Sequence, residues 1–339
     1  MEGPLSRAQV VRHVVAEAVW APSVHNTQPW RFTGTGQEIS LHADPSRQLT
    51  VSDPDGRELM ISCGAALFTA RLALRSLGWI PETTVLPDPG RPLLIARVRW
   101  RKEEPPSEFE QRLSGQVRRR RTHRGGFDAV PLPPNLLAVL RQGAARDGAM
   151  LRILADDGRR AVLAEAVQTA ERALELDSER VRELVRWAPP PGTTRTDGVV
   201  PAAYPARAEH TQPDYPGRDF AHGHGWGMPP LGSARLFRSP GVVAVLTTAA
   251  DRPADWVNAG QALQRILLTA SSCGIAVALH TQPLELGWLR ELIRVELADS
   301  ACPQIVLRFG AVTQAAASVR RPPEEVLFSA DGEEVTGPL

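Results

Sequence analysis

Two long apolar segments constrain this chain more than any other feature. RELMISCGAALFTARLALRSLG (57–78) and WVNAGQALQRILLTASSCG (256–274) carry apolar residues on more than one face. That pattern belongs to helices buried on all sides. The two align at a constant offset of 196 residues, Gly64 over Gly260. At that offset Cys63-Gly64-Ala65-Ala66-Leu67 sits over Ala259-Gly260-Gln261-Ala262-Leu263, and the terminating Gly78 sits over Gly274. Strand-like sequence follows each helix, LLIARV after the first and IVLRFG after the second. Either two Ala- and Leu-rich helices align by chance, or the chain holds two similar α+β units. The shared glycine stop and the shared downstream order favour duplication. Two copies do not make a solenoid.

The remaining pattern fits around these helices. Val10, Val11, Val14, Val15, Ala18 and Val19 recur at spacings of three and four and predict a helix over Ser6–Trp20. Short strands are expected at Trp30–Thr33 and Glu38–His42, and a longer one at Leu93–Trp100. Further helices are expected from Ser107, over Asn135–Ala144 and over Asp157–Trp187. Strands are expected at Leu151–Ala155, Val242–Thr247, Ala276–His280 and Gln304–Phe309. Ala188–Gly232 is rich in Pro and Gly and holds His210, His222 and His224. A stretch of that length without periodicity is either disordered or a functional lid.

Ala21–Phe32, APSVHNTQPWRF, presents Ser23, His25, Asn26 and Gln28 between two prolines. Pro22 and Pro29 push Ala21 and Gln28 out of the helical region. The loop is either a binding element or a tight turn that caps its own backbone.

Composition narrows the function. Lys and Arg number 39 against 38 Asp and Glu, a net charge of +1, which gives no support for a nucleic-acid partner. Three cysteines without a CxxC pair indicate neither a disulfide framework nor a zinc site. The N-terminus lacks the apolar core of a signal peptide, and Ile266–Leu279 is too short and polar to span a bilayer. These features lead to the expectation of a cytoplasmic protein with no membrane partner. Gly223–Gly227 has GxG spacing but neither the strand nor the helix of a dinucleotide site. There is no Walker loop, no nucleophile elbow and no metal-ligand spacing.

The strongest charge feature is Arg118–Arg121 with Arg124. Such a run is either a solvated face or a phosphate cradle, since guanidinium forks hold phosphate bidentately. Thr122 adds a hydroxyl. Asn and Gln amides match the alternating edge of a flavin ring, and arginines match its phosphate.

Taken together, these segments resemble the FMN-dependent nitroreductase family. APSVHNTQPWRF is similar to its PSxxNxQPW segment, RRTHRGGF to its RRSxRxF with one extra Gly, Pro283-Leu284-Glu285 to its PxEG loop with Leu286 in place of Gly, and Arg320-Arg321-Pro322 to its basic pair. With DPDGRELMISCGAAL, the order resembles the fused Acg-like subfamily of actinobacteria. The resemblance implies an α+β nitroreductase-like fold with mixed sheets. Residues 1–106 would form one half and 107–339 the other, with 188–232 a lid-like insertion, so that a monomer mimics a dimer; further dimerisation is left open.

The resemblance also implies one FMN per chain between the halves. Arg120, Thr122, Arg124, Arg320 and Arg321 fall at the phosphate; Ser23, Asn26 and Gln28 on the ring and ribityl side; Pro283, Glu285 and Leu286 beside flavin N5. NAD(P)H would donate electrons and a nitroaromatic, quinone or related small molecule would accept them. The cofactor carries the chemistry, with no catalytic side chain. The alternative is a flavin-sequestering protein whose lid-covered FMN turns over little.

Overall fold

The computed structural model describes residues 5–205, 209–220, 237–313 and 317–329. His222, His224 and the GxG spacing at Gly223–Gly227 lie outside them.

Ser6 and Gln9 form a capping box that starts α1 (Arg7–Ala18), whose valine stripe is buried. A 3₁₀ turn, Val24–Asn26, leads into the hairpin of β1 (Trp30–Thr35) and β2 (Glu38–Ala43). The long helix α2 (Arg57–Ser76) follows, then β3 (Trp79–Val85) and β4 (Leu94–Glu103). Next come α3 (Glu108–Ser114), β5 (Thr122–His123), α4 (Leu136–Arg146) and β6 (Met150–Ile153). They are followed by α5 (Asp157–Glu175), α6 (Ser178–Arg186) and the short pair β7 (His210–Thr211) and β8 (Phe237–Arg238). The chain closes with β9 (Val242–Thr248), α7 (Pro253–Ser272), β10 (Ala276–His280), α8 (Gly287–Glu296), β11 (Cys302–Gly310) and β12 (Leu327–Phe328).

Two mixed five-stranded sheets result, ordered β12-β1-β2-β4-β3 and β5-β10-β11-β9-β6. Within each, four strands share one connection order. β1-β2-α2-β3-β4 gives the antiparallel neighbours β1-β2-β4-β3, and β6-β9-α7-β10-β11 gives β6-β9-β11-β10. Each sheet adds one short parallel edge strand, β12 on β1 and β5 on β10. Where the first sheet has a tight hairpin, the second has the whole span from α5 to β8. The departure from a simple repeat is therefore larger than the Pro- and Gly-rich stretch alone.

α2 and α7 run between the sheets and belong to both cores. Val257 of α7 is buried among α1, α2 and the first sheet, while Ile61 of α2 is buried among α4, α7 and the second. The other face of the second sheet is covered by α5 and α8 through Leu163, Val167, Leu289 and Ile293. α2 is long and apolar enough to cross a membrane, but 78% of its apolar window is buried inside the protein. It is a core helix.

No strand is expected at Trp79–Val85 from the sequence, because Gly78 and Pro81 read as punctuation. β3 lies at the edge of its sheet, where a missing N–H is tolerated. Nor is a helix expected over Gly287–Glu296, an amphipathic segment only ten residues long.

Candidate functional site

The residues after α1 fold into a strained loop. His25, Asn26 and Gln28 all take positive φ, at 45°, 55° and 50°. Non-glycine residues there cost of order 1–3 kcal/mol each and persist only when neighbours over-determine them. Here the neighbours do. Ser23 Oγ accepts from Gln28 N at 2.9 Å. The Asn26 amide donates to the carbonyls of Gly198 and Val319 at 3.0 and 3.2 Å. Gln28 Nε2 donates to Thr196 O at 2.9 Å, and its Oε1 accepts from Arg321 N at 2.8 Å. Asn26 and Gln28 thus tie the loop to residues 196–198 and 319–321, and their amides are spent within the protein.

One side of this loop meets a cluster of arginines, Arg120 buried and Arg121, Arg124 and Arg320 half-buried. Arg120 and Arg320 both donate to the Trp20 carbonyl at 3.3 Å, and Arg320 also donates to Asn26 Oδ1 at 3.0 Å. The Arg121 and Arg320 guanidiniums lie 4.8 and 5.7 Å from the Trp20 ring centroid. Arg124 donates to Ala203 O at 3.0 Å. Among the described residues, none of Arg120, Arg121, Arg124 or Arg320 pairs with a carboxylate. The Nε atoms of Arg120 and Arg320 are buried without a partner. Burial and the neighbouring guanidiniums pull Arg120 down to about 9, and burial pulls Arg124 down to about 10. Arg320 is lowered by burial and then by Arg120, Arg121 and Arg124. Uncompensated buried charge of this kind is costly unless something anionic completes it.

Arg321 behaves differently. Its guanidinium turns to Glu325, at 3.1 Å from Oε2, and away from that cluster. Its backbone N–H, not its charge, joins the loop.

Beside the arginines lies a cavity of about 100 Å³. Its walls come from Pro22–His25, from Glu58, Ile61 and Ser62 on the first turns of α2, from Thr122–Arg124, and from β10 and β11. Residues Gly217, Arg218 and Phe220 complete its lining. Phe220 stands edge-on to His25 at 5.6 Å between centroids. On the far side of His123, a depression of about 150 Å³ is lined by Arg119–Arg121. The cavity falls below the roughly 300–1,000 Å³ usual for ligand pockets.

The residues that line the cavity include three with buried polar atoms lacking a protein partner: both ring nitrogens of His25, Nδ1 of His280 and Oε2 of Glu58. Burial, then neighbouring arginines, holds both imidazoles neutral. Among the described residues no group of His, Cys, Asp and Glu is arranged to hold a metal ion.

The site residues expected from the sequence divide accordingly. Ser23, Thr122 and Arg124 line the cavity. Arg120 and Arg320 join Arg124 in the cationic cluster. Pro283 and Glu285 lie behind it, and Thr281 and Gln282 form the wall instead. The Glu285 carboxylate is wholly buried, 2.5 Å from Arg218 and 2.8 Å from Thr281 Oγ1. Leu286 precedes α8 and packs on its core. Glu58, Arg218, Phe220, His280 and Arg308 are wall residues that the sequence reading did not select. A charged pair opening an apolar helix, Arg57-Glu58, and a lone Arg in the apolar strand IVLRFG, are the signals that mark two of them.

Fold and site together define an α+β protein built around a helix pair, with a carboxylate-free arginine cluster beside a partly open cavity. No family model matches the chain. Among curated proteins, "Putative NAD(P)H nitroreductase Rv3131" of Mycobacterium tuberculosis is 37% identical over 307 residues, covering 89% of this chain and 85% of the relative. "Uncharacterized protein Rv3127" of the same organism is 31% identical over 331 residues, covering 94% and 92%. "Putative NAD(P)H nitroreductase acg" is 29% identical over 332 residues, covering 96% and 97%. Among solved structures, the FMN-bound nitroreductase of Desulfitobacterium hafniense is 13% identical with a TM-score of 0.40, covering 62% of this chain and 94% of its own. The chain belongs to the nitroreductase family.

Proposed function

We propose that the protein is an FMN-dependent oxidoreductase that takes electrons from NAD(P)H and passes them to a small organic acceptor, a nitroaromatic, a quinone or a related molecule. The observation that carries this reading is the cluster of Arg120, Arg121, Arg124 and Arg320. It is a cationic niche without a carboxylate, with two buried guanidinium nitrogens left unpartnered. A dianionic phosphate supplies the missing charge and acceptors. The residues present therefore fit FMN. Arg120, Thr122, Arg124 and Arg320 hold its phosphate, while Ser23 and the Pro22–His25 loop face its ring and ribityl chain. Bound FMN supplies hydride transfer; the chain orients it and controls access. The acceptor stacks within the cavity whose walls include His25 and Glu58. Relatives named as NAD(P)H nitroreductases support the same reading.

A second reading, flavin sequestration, is favoured by one feature. Gly217, Arg218 and Phe220 complete the cavity lining, and Arg218 is anchored to Glu285. Anaerobic mixing of the FMN-loaded protein with NADPH separates the two. Fast bleaching of the flavin supports the oxidoreductase. Slow bleaching by NADPH with fast bleaching by dithionite supports sequestration.

A further inference from the structure

We propose that Glu58 is the proton donor that completes two-electron reduction of an acceptor held in the cavity. This inference rests on the oxidoreductase reading above and adds a side chain to it.

Glu58 sits in the first turn of α2 and is 3% exposed. Its helix face, with Ile61 and Ser62 one turn on, forms one wall of the cavity. Ser62 Oγ donates to the Glu58 carbonyl at 2.7 Å and accepts from Val24 N at 3.3 Å, which locks this turn to the strained loop. Arg57 donates to Glu58 Oε1 at 2.9 Å. Oε2 has no partner and belongs to a side chain that lines the same cavity as His25 and His280.

The surrounding charges favour a proton on this group. Asp53 precedes the helix and Arg57 adjoins Glu58. Glu285 faces them from the loop before α8, and Arg218 and Glu171 from the segment and helix packed above. Arg180 lies 3.9 Å from Glu285. Arg180 is nearer Asp177, at 3.2 Å, so Arg57 and Arg218 are the paired cations of this group, on Glu58 and Glu285. Burial first, and Glu285 next, push Glu58 well above the carboxylate range. Asp53 rises to about 6 and Glu171 to about 7, both through burial. Burial and the carboxylate of Glu285 thus favour the protonated form of Glu58.

The step balances. A quinone gains a hydride, two electrons and one proton, from the reduced cofactor, which is left oxidised by two electrons. The Glu58 O–H bond breaks, its proton forms an O–H bond on the acceptor's carbonyl oxygen, and the electron pair stays on the carboxylate beside Arg57. The product is the hydroquinone, and solvent returns the proton to Glu58. The flanking imidazoles, held neutral, do not compete as acids.

The test compares wild type with Glu58→Gln, which keeps the shape and removes the acidic proton. Reduced, FMN-loaded protein is mixed anaerobically with benzoquinone or with ferricyanide. Ferricyanide accepts single electrons and needs no proton. The expected result is that benzoquinone reduction falls about 100-fold in the variant, within the range usual for a lost general acid, while ferricyanide reduction is unchanged. The flavin-free protein gives a second readout. At pH about 7, wild type shows an infrared carbonyl band of a protonated carboxyl group that Glu58→Gln lacks. Equal benzoquinone rates in the two proteins, or no such band in wild type, overturns the proposal. If Glu58→Gln does not fold, Glu58→Asp takes its place in both comparisons: its carbonyl band should shift in frequency, and an unshifted band overturns the proposal. Failure of the protein to bind FMN at all refutes the parent reading instead.

Discussion

Gly64 and Gly260 meet backbone to backbone where α2 crosses α7. A Cβ on Gly64 would strike the carbonyl oxygen of Val257 and lie 3.0 Å from the Gly260 Cα. One on Gly260 would strike the carbonyl oxygen of Ile61 and lie 2.9 Å from Ala65 N. The relation is reciprocal: Gly64 to Gly260 and Ile61 to Val257 are both displaced by 196 positions. A contact in which residue i meets j and its counterpart meets i's counterpart is the signature of a two-fold interface. The helix pair repeats that pattern within one chain.

The crossing predicts a stability phenotype. Gly64→Ala and Gly260→Ala each force two helix backbones apart and should cost about 1–3 kcal/mol, the usual penalty of overpacking. Gly287→Ala, where an added Cβ meets nothing within 4 Å, should leave stability unchanged or slightly raised. Urea unfolding monitored by circular dichroism measures all three. Equal midpoints across the set would mean that the helices do not approach as closely as described.

Much of this architecture is legible in the sequence, because burial on all faces and a constant offset are properties of composition and spacing. The long helices, the hairpin and the central strands follow from periodicity. Short edge strands such as β5 and β12 do not, since two residues carry no period and their partners lie far away in sequence. The site divides the same way. Arg120, Arg124 and Arg320 stand out as charges in motif-like runs. Glu58 and Arg218 acquire meaning only when folding buries them beside Glu285, a fact of tertiary contact. Asn26 and Gln28 look like ligand-facing amides in the sequence, yet the positive φ values of their loop demand internal partners, and the amides supply that need.

Glu171 makes stability depend on pH. Its carboxyl is raised to about 7 by burial, while the unfolded group keeps its ordinary value of 4.5. The folded state therefore binds more protons across that window. Its stabilising contribution is complete below about 4.5 and is lost as pH rises through about 7, a loss on the order of 3 kcal/mol. Glu171→Gln keeps an acceptor for Asp219 N and removes the ionisation. The variant should be more stable than wild type at pH about 8.5, with the gap narrowing toward pH about 5. Thermal unfolding across that range measures it, and parallel profiles would contradict the assignment.

Arg124→Ala should weaken FMN retention. A hydrogen bond to a charged group contributes about 1.5–3 kcal/mol, which corresponds to roughly 10–150-fold in dissociation constant. Fluorescence quenching of added FMN gives the value directly. An unchanged constant would move Arg124 out of the phosphate niche.

Phe220→Ala should open the cavity. The ring stands against His25 at 5.6 Å and near Tyr204 at 6.1 Å, so its loss removes the cover nearest the loop. Bleaching of bound flavin by NADPH should become several times faster, with reduction by dithionite little altered. No change in the NADPH rate would mean that Phe220 does not gate entry.

The central claim is that the carboxylate-free arginine niche holds a flavin phosphate, one per chain. Calorimetric titration of the flavin-free protein with FMN and, separately, with riboflavin tests it most directly. The account predicts one FMN bound per chain and riboflavin, which lacks the phosphate, bound at least about 100-fold more weakly, the equivalent of roughly 2.7 kcal/mol. Equal affinity for the two flavins, or no binding of FMN, would contradict it.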